Sequence, residues 1–261
     1  MTHSFIIPAY GHSPYLEDCL ESLAGQSLGS PVVVCTSTPF DGLDEVCRKF
    51  GARLHTHTPN RGIGADWNAA LAIADTDLVT LAHQDDIYLP TFGAEVVAAA
   101  ERNPRSAMLF SDADEISSDG NVIPRHRNTA VKRMINQIAF AGRDTIRGPV
   151  SLRLLLGLGN PITCPAVTIR LSRSNGFRFR QDLRTNMDWL AWIELAGRGG
   201  VTRVHGSLMR HRAHDQSETA RCLSDGARNE EDRMIFERLW PRPLAFILAR
   251  LYQRSYAGYS K

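Results

Sequence analysis

Short apolar runs alternate with helix-length amphipathic stretches along the first hundred residues of this chain. Residues 4–8 (Ser-Phe-Ile-Ile-Pro), 31–35, 52–55 and 78–82 have the length and composition of buried strands. After the first, Ser13-Pro14 supply an N-cap and a first-turn proline, and Leu16, Cys19, Leu20 and Leu23 recur on one helical face up to Gly25. Further helices are predicted over about 41–50, 63–74 and 90–102. This alternation predicts an α/β fold, a mostly parallel sheet with helices on both faces.

Beyond residue 103 the pattern loosens. A strand is predicted at 107–111, then a hairpin joining Glu115-Ile116 to Val122-Ile123 through Ser118-Asp119-Gly120-Asn121. Residues 125–147 carry Arg125, Arg127, Lys132, Arg133, Arg143 and Arg147 with little periodicity. Such a segment is either a functional loop or a solvated one with a short helix near 131–139. A strand over 163–171, a helix over 186–197, strands at 201–204 and 207–211, and helices over 225–239 and 243–256 complete the prediction. The expected division is an α/β domain over 1–220, in halves 1–110 and 111–220, with a C-terminal helical extension over 221–261.

With 261 residues the chain can bury a substantial core as one domain with an appendage. Thirty basic against 28 acidic residues give no field that would recruit nucleic acid. Five cysteines (19, 35, 47, 164 and 222), odd in number and without C-x-x-C spacing, read as reduced packing residues of a cytoplasmic protein. Pro8 interrupts the first apolar run, which predicts no signal segment, and no stretch approaches the roughly 20 apolar residues of a membrane span.

Candidate chemistry gathers where the fourth strand ends. Asp85 and Asp86 are adjacent there, and ligands of open α/β sheets bind outside the carboxyl ends of strands. Neighbouring carboxylates repel unless a cation is near, so the pair reads as a hard-metal site completed by a substrate diphosphate, or as a solvated acidic turn. Neither Gly-x-Gly-x-x-Gly nor Gly-x-x-x-x-Gly-Lys is present, which excludes the usual dinucleotide and phosphate-cradling loops. Asp188, in the first turn of its helix, is a general base or a dipole-favoured carboxylate, with Asp182 and Glu194 as alternative bases. Trp189 and Trp192, at i and i+3, pack in the core or against an acceptor sugar. Asn60, Arg61 and Asn68 line a nucleotide pocket or support a turn.

Phe5-Ile-Ile-Pro-Ala-Tyr10, Gln84-Asp-Asp-Ile-Tyr88, Met187-Asp-Trp189 and His211-Arg-Ala-His214 follow one another in an order and spacing that resembles family 2 glycosyltransferases, over about residues 4–220. The resemblance implies a GT-A (Rossmann-like) fold and inverting transfer of a sugar from a nucleotide-sugar donor, with Mg²⁺ or Mn²⁺, to a hydroxyl of a glycan or lipid-linked acceptor. It further implies a place in cell-envelope polysaccharide synthesis. By the same resemblance Pro8, Ala9 and Tyr10 lie along the nucleotide, Asp85 and Asp86 touch ribose and metal, Asp188 is the base, and His214, with His211 second, completes the metal or diphosphate site. Two positions depart from the family pattern. Thr36, Ser37 and Thr38 stand where base-reading acidic residues are common, their hydroxyls still able to hydrogen-bond a pyrimidine of the donor, and His83 replaces the aspartate two residues before the metal ligand, leaving His83 or Gln84 beside the ribose.

Two rival classes remain. A nucleotidyltransferase would carry a Gly- and Lys/Arg-rich loop after the first strand, which Tyr10-Gly11-His12 does not supply; a non-catalytic scaffold would keep the fold without the carboxylates. Residues 241–261 contain Arg242, Arg250, Arg254 and Lys261, no acidic residue, and the apolar Leu244, Phe246, Ile247, Leu248, Leu251 and Tyr252. A basic amphipathic helix of this kind lies on an anionic leaflet, here the inner face of the plasma membrane, or docks on the core or on a homodimer partner.

Overall fold

Among the described residues of the computed structural model (1–124, 127–214 and 227–254), nine strands form one sheet. Its first four strands are β1 (His3–Ala9), β2 (Val32–Thr36), β3 (Arg53–Thr56) and β4 (Leu78–Leu81). They pair in parallel in the order β3-β2-β1-β4. Helices α1 (Leu16–Ala24), α2 (Leu43–Lys49), α3 (Ile63–Ala72) and α4 (Phe92–Arg102) connect or follow them. Burial on both faces is what makes β1, β2 and β4 read as continuous apolar runs.

The second half extends the sheet. It contributes β5 (Ile87–Tyr88), β6 (Met108–Ile116), β7 (Thr145–Ile146), β8 (Val167–Arg170) and β9 (Val201–Arg212). The order continues β4-β8-β6-β9-β5, with β7 also on β9. β8 runs against both neighbours, while β6 and β9 are parallel to each other. The strand expected over 163–171 starts only at Val167, because Cys164–Ala166 form a 3₁₀ turn around Pro165, which has no N–H for the ladder. The two strands expected at 201–204 and 207–211 are one bulged strand; Gly206, at φ 99°, takes the left-handed conformation where its pairing with β6 shifts register. The tight turn at 117–121 is present, closed by Gly120 N–H to Ser117 O at 2.9 Å.

Helices α5 (Arg127–Phe140), α6 (Pro149–Leu156), α7 (Met187–Gly199), α8 (Ala227–Leu239) and α9 (Arg242–Arg254) complete the chain. Two buried clusters sandwich the sheet. Leu16, Leu20, Leu23, Val96 and their neighbours pack on one face; Trp67, Phe110, Phe140, Trp189, Trp192 and Phe236 pack on the other. Ala245 and Ala249 of α9 belong to the second cluster, so the terminal helix docks on the core by one side. No described helix is long and apolar enough to cross a membrane. Arg125, Cys222, Lys261, and Asp215 to Thr219 of the polar cluster fall outside the described residues, as do the outer ends of the helices expected at 225 and 256.

Candidate active site

Strand β4 ends at Leu81, and the chain crosses His83–Asp86 before β5 pairs Ile87 and Tyr88 with Arg210 and Met209 of β9. That short pairing carries the end of β9 to the acidic pair. His214 Nε2 then lies 2.8 Å from Asp85 Oδ2, and the Arg212 N–H donates to Asp86 Oδ1 at 2.8 Å. Arg212, only 2% exposed, locks the junction: its guanidinium donates to Asp85 O at 2.9 Å and Ser118 O at 2.8 Å, and pairs with Asp18 at 3.0 Å. Sequence reasoning gave Arg212 no role, since its partners lie far away along the chain.

The neighbouring strand ends are stitched by side chains. Gln84 Oε1 accepts the Tyr10 N–H at 3.0 Å while its Nε2 donates to Tyr10 O at 3.1 Å, and Thr38 Oγ1 accepts the Gly11 N–H at 2.7 Å. Asn60 Oδ1 accepts the Gly62 N–H at 2.9 Å, an Asx turn opening α3. These loops form one side of a cleft of about 1990 Å³. Pro8, Tyr10, Asn60, Gln84, Asp85, Asp188, His211 and His214 all line it, so residues separated by up to two hundred positions share one space.

Other candidates are placed elsewhere. Trp189 and Trp192 are 0% and 2% exposed; Trp189 Nε1 donates to Leu156 O at 2.9 Å and the ring meets Phe236 edge-on at 5.2 Å. Neither indole can stack on an acceptor sugar: the i, i+3 face of α7 is the core face. Asn68 is likewise buried, its amide pairing with both polar groups of one residue, Phe179 O at 2.9 Å and Phe179 N at 2.8 Å, instead of a nucleotide. Ala9, Thr36 and Ser37 are buried at the strand ends and Thr38 is half-buried; Arg61 is exposed. None of these five lines the cleft. The alternative bases Asp182 and Glu194 pair with Arg180 and Arg198 on the surface.

Across the same cleft Asp188 accepts hydrogen bonds from Asn160 Nδ2 at 2.9 Å and from the Trp189 N–H at 2.7 Å. Burial pushes its carboxyl up to about 6, against the opposing pull of these donors and of the Arg228 and Lys132 charges. The loop leading into α7 is held from α8. Glu231 accepts the Arg184, Thr185 and Asn186 N–H groups at 2.7, 3.0 and 2.9 Å, and Asp232 accepts from Asn186 Nδ2 at 2.7 Å. Lys132 of α5 also lines the cleft, facing the charges of Glu115 and Asp188. It was one of six basic residues in its stretch, with nothing in the sequence to single it out.

At the acidic end, ligand atoms of His83, Asp85 and Asp86 lie within 4.8 Å of one another. Burial raises Asp85, but the positive charge and hydrogen bonds available from His83, His214 and His211 outweigh it and hold the carboxyl below its usual range. Asp86 is pushed the other way by burial and by Asp85. Among the described residues Asp86 Oδ2 and His83 Nε2 are buried without a hydrogen-bond partner. A divalent cation satisfies such orphaned donor atoms, and a mixed imidazole and carboxylate set suits Mn²⁺. The residues present therefore fit the metal.

The strand order and the cleft across the strand ends define an α/β fold of the GT-A glycosyltransferase class. A model described as Glycosyl transferase family 2 matches residues 4–153, and the chain belongs to that family. An uncharacterised glycosyltransferase of Haemophilus influenzae is 30% identical over 123 residues, covering 44% of this chain and 45% of that protein. S. aureus TarS 1–349 superposes with a TM-score of 0.65 at 19% identity, over 90% of this chain and 64% of that one. In complex with UDP-GlcNAc the same TarS fragment gives 0.67 at 18% identity, over 98% and 73%. The mannosyltransferase PcManGT of Pyrobaculum calidifontis, in complex with GDP-Man and Mn²⁺, gives 0.63 at 15% identity, over 98% and 75%. These structural likenesses are likenesses of fold. The chain spans less than half of the Haemophilus protein and under two thirds of that first TarS chain.

Proposed function

We propose that this protein transfers a sugar, with inversion, from a nucleoside-diphosphate donor to a hydroxyl of a glycan or lipid-linked acceptor in cell-envelope polysaccharide synthesis, on the cytoplasmic side of the plasma membrane. One observation carries the reading: Asp85, bonded to His214 at 2.8 Å, and Asp188, bonded to Asn160 at 2.9 Å, line the same cleft. The complexes of similar fold with UDP-GlcNAc and with GDP-Man and Mn²⁺ support it.

In this reading the donor lies across the strand ends, with its nucleotide along Pro8 and Tyr10 and its diphosphate toward Asp85 and His214. His83, Asp85 and Asp86 would hold the divalent cation, which when bound neutralises charge on the departing diphosphate. At the other end Asp188 accepts the proton of the attacking acceptor hydroxyl, a role worth about 10²–10⁴-fold in rate. Asn160 fixes the carboxylate's orientation through the 2.9 Å bond, and Lys132 balances the charge there. A single base and a single displacement lead to inversion.

The test is a thermal-shift panel of UDP and GDP sugars with and without Mn²⁺. A donor at 100 times its dissociation constant stabilises the fold by about 2.7 kcal/mol. At least one metal-dependent shift is expected, lost in Asp85→Ala; no shift with any donor overturns the reading.

A further inference from the structure

Three helices around the Asp188 end of the cleft each expose an apolar stripe. On α5 the stripe is Val131, Met134 and Ile138; on α6 and its end it is Val150, Leu154 and Leu158; on α9 it is Leu244, Ile247 and Leu251. All nine are between 37% and 72% exposed. The spacings i, i+3, i+7 on α5 and α9, and i, i+4 on α6, put each set on one side of its helix, with Leu158 just past the end of α6. On α9 the adjacent side, Ala245, Leu248, Ala249 and Tyr252, is the one that packs on the core. The outward stripe is thus a second apolar face, left over after docking.

The stripes adjoin. Arg143, just past α5, reaches Ser151 of α6 at 3.4 Å; Trp240 donates to Gly157 O at 2.7 Å; the Asn160 N–H donates to the Tyr252 hydroxyl at 3.3 Å. Val131, Leu158 and Leu251, one from each stripe, line the same cleft. Exposed apolar surface gathered at one rim of a cleft marks an interaction site.

Charge selects the partner. Arg143, Arg153, Arg242, Arg250 and Arg254 are exposed around the stripes, and among the described residues none of them is in an ion pair. Residues 127–158 contain one acidic residue, Asp144, which is bonded to His205 at 2.8 Å, and residues 242–254 contain none. A self-complementary contact with a second copy would set these arginines against one another. An anionic lipid surface complements them and receives the apolar side chains.

We infer that the outer faces of α5, α6 and α9 form one surface that docks on an anionic bilayer, with the Asp188 end of the cleft opening at the lipid boundary. The docking goes beyond the glycosyl-transfer reading and does not depend on it; only the corollary, that the acceptor is presented from the bilayer, rests on that reading.

Co-sedimentation with phosphatidylcholine vesicles, with and without phosphatidylglycerol, tests it. Protein is expected to sediment with the phosphatidylglycerol vesicles, and salt should weaken the binding. Ile138→Ser/Val150→Ser/Ile247→Ser, one exposed residue per helix and none on the cleft wall, should weaken it at least about tenfold with melting temperature unchanged. Arg250→Gln/Arg254→Gln should lower the preference for anionic lipid. Wild-type protein left in the supernatant, or a triple variant that sediments equally well, overturns the inference. So does a dimer in light scattering that the triple variant dissociates without any vesicle binding, which assigns the face to a second copy. Vesicle binding that persists when no donor shifts the melting temperature would sink the transfer reading and leave the docking intact.

Discussion

His214 Nε2 sits 2.8 Å from Asp85 Oδ2, across 129 positions of sequence. The contact exists because β5 pairs with the end of β9, and Arg212 ties that end to Asp18, Asp85 and Asp86. An imidazole that orients a ligating carboxylate contributes about 10–100-fold to metal affinity. His214→Ala should therefore raise the donor dissociation constant by about that factor in Mn²⁺, measured calorimetrically, and leave the ligand-free melting temperature nearly unchanged. Chelation by EDTA should mask the difference.

The elevated Asp188 carboxyl sets the pH response. In the proposed role of base Asp188 works deprotonated, so kcat/KM should climb with pH through about 6 and level off above it, instead of turning near 4. The stability sign is opposite. A carboxyl whose folded pKa is raised favours the fold at pH below its unfolded value near 4, and this contribution is lost as pH rises through about 6. Asp188→Asn should be relatively more stable than wild type at pH 8 than at pH 5, which paired thermal melts would show.

Glu231 ties α8 to the loop in front of Asp188. Its carboxylate receives three backbone N–H groups and the Thr185 hydroxyl, the last at 2.7 Å. Removing a charged acceptor with several partners costs about 2–3 kcal/mol. Glu231→Ala should lose that much in urea unfolding and, on the proposed roles, reduce turnover more than donor binding, because it loosens the lead into Asp188 and not the surroundings of Asp85. Burial raises the Glu231 carboxyl, but its donors prevail and hold it low. Its stabilisation is therefore present above the unfolded pKa and lost as pH falls through the lower folded value.

Trp189 gives a contrasting case. A core indole cut to alanine costs about 3–5 kcal/mol. Trp189→Ala should lower stability by that order, while a residue that merely stacked on the acceptor would change acceptor KM and leave the melting temperature alone.

Much of the first half is legible in the sequence because its strands are buried on both sides and end in polar turns. β1, β2 and β4 announce themselves as apolar runs, and Asp85 follows from the rule that ligands gather at strand ends. Spacing could not decide Trp189 and Trp192, since i and i+3 describe a helix face without saying what it meets. The length of α5 was hidden because its apolar residues serve two sides, Ala139 and Phe140 toward the core and Val131, Met134 and Ile138 outward. Arg212 and Glu231 went unseen for another reason: both act on residues brought near only by the fold.

The central claim is a division of labour within one cleft, with Asp85 holding the donor and Asp188 activating the acceptor. Donor affinity and turnover measured side by side for Asp85→Asn and Asp188→Asn test it most directly. The account predicts that Asp85→Asn loses donor binding, and that Asp188→Asn binds donor as wild type does while turnover falls about 10²–10⁴-fold. Undiminished turnover in Asp188→Asn, or donor binding untouched by Asp85→Asn, would contradict it.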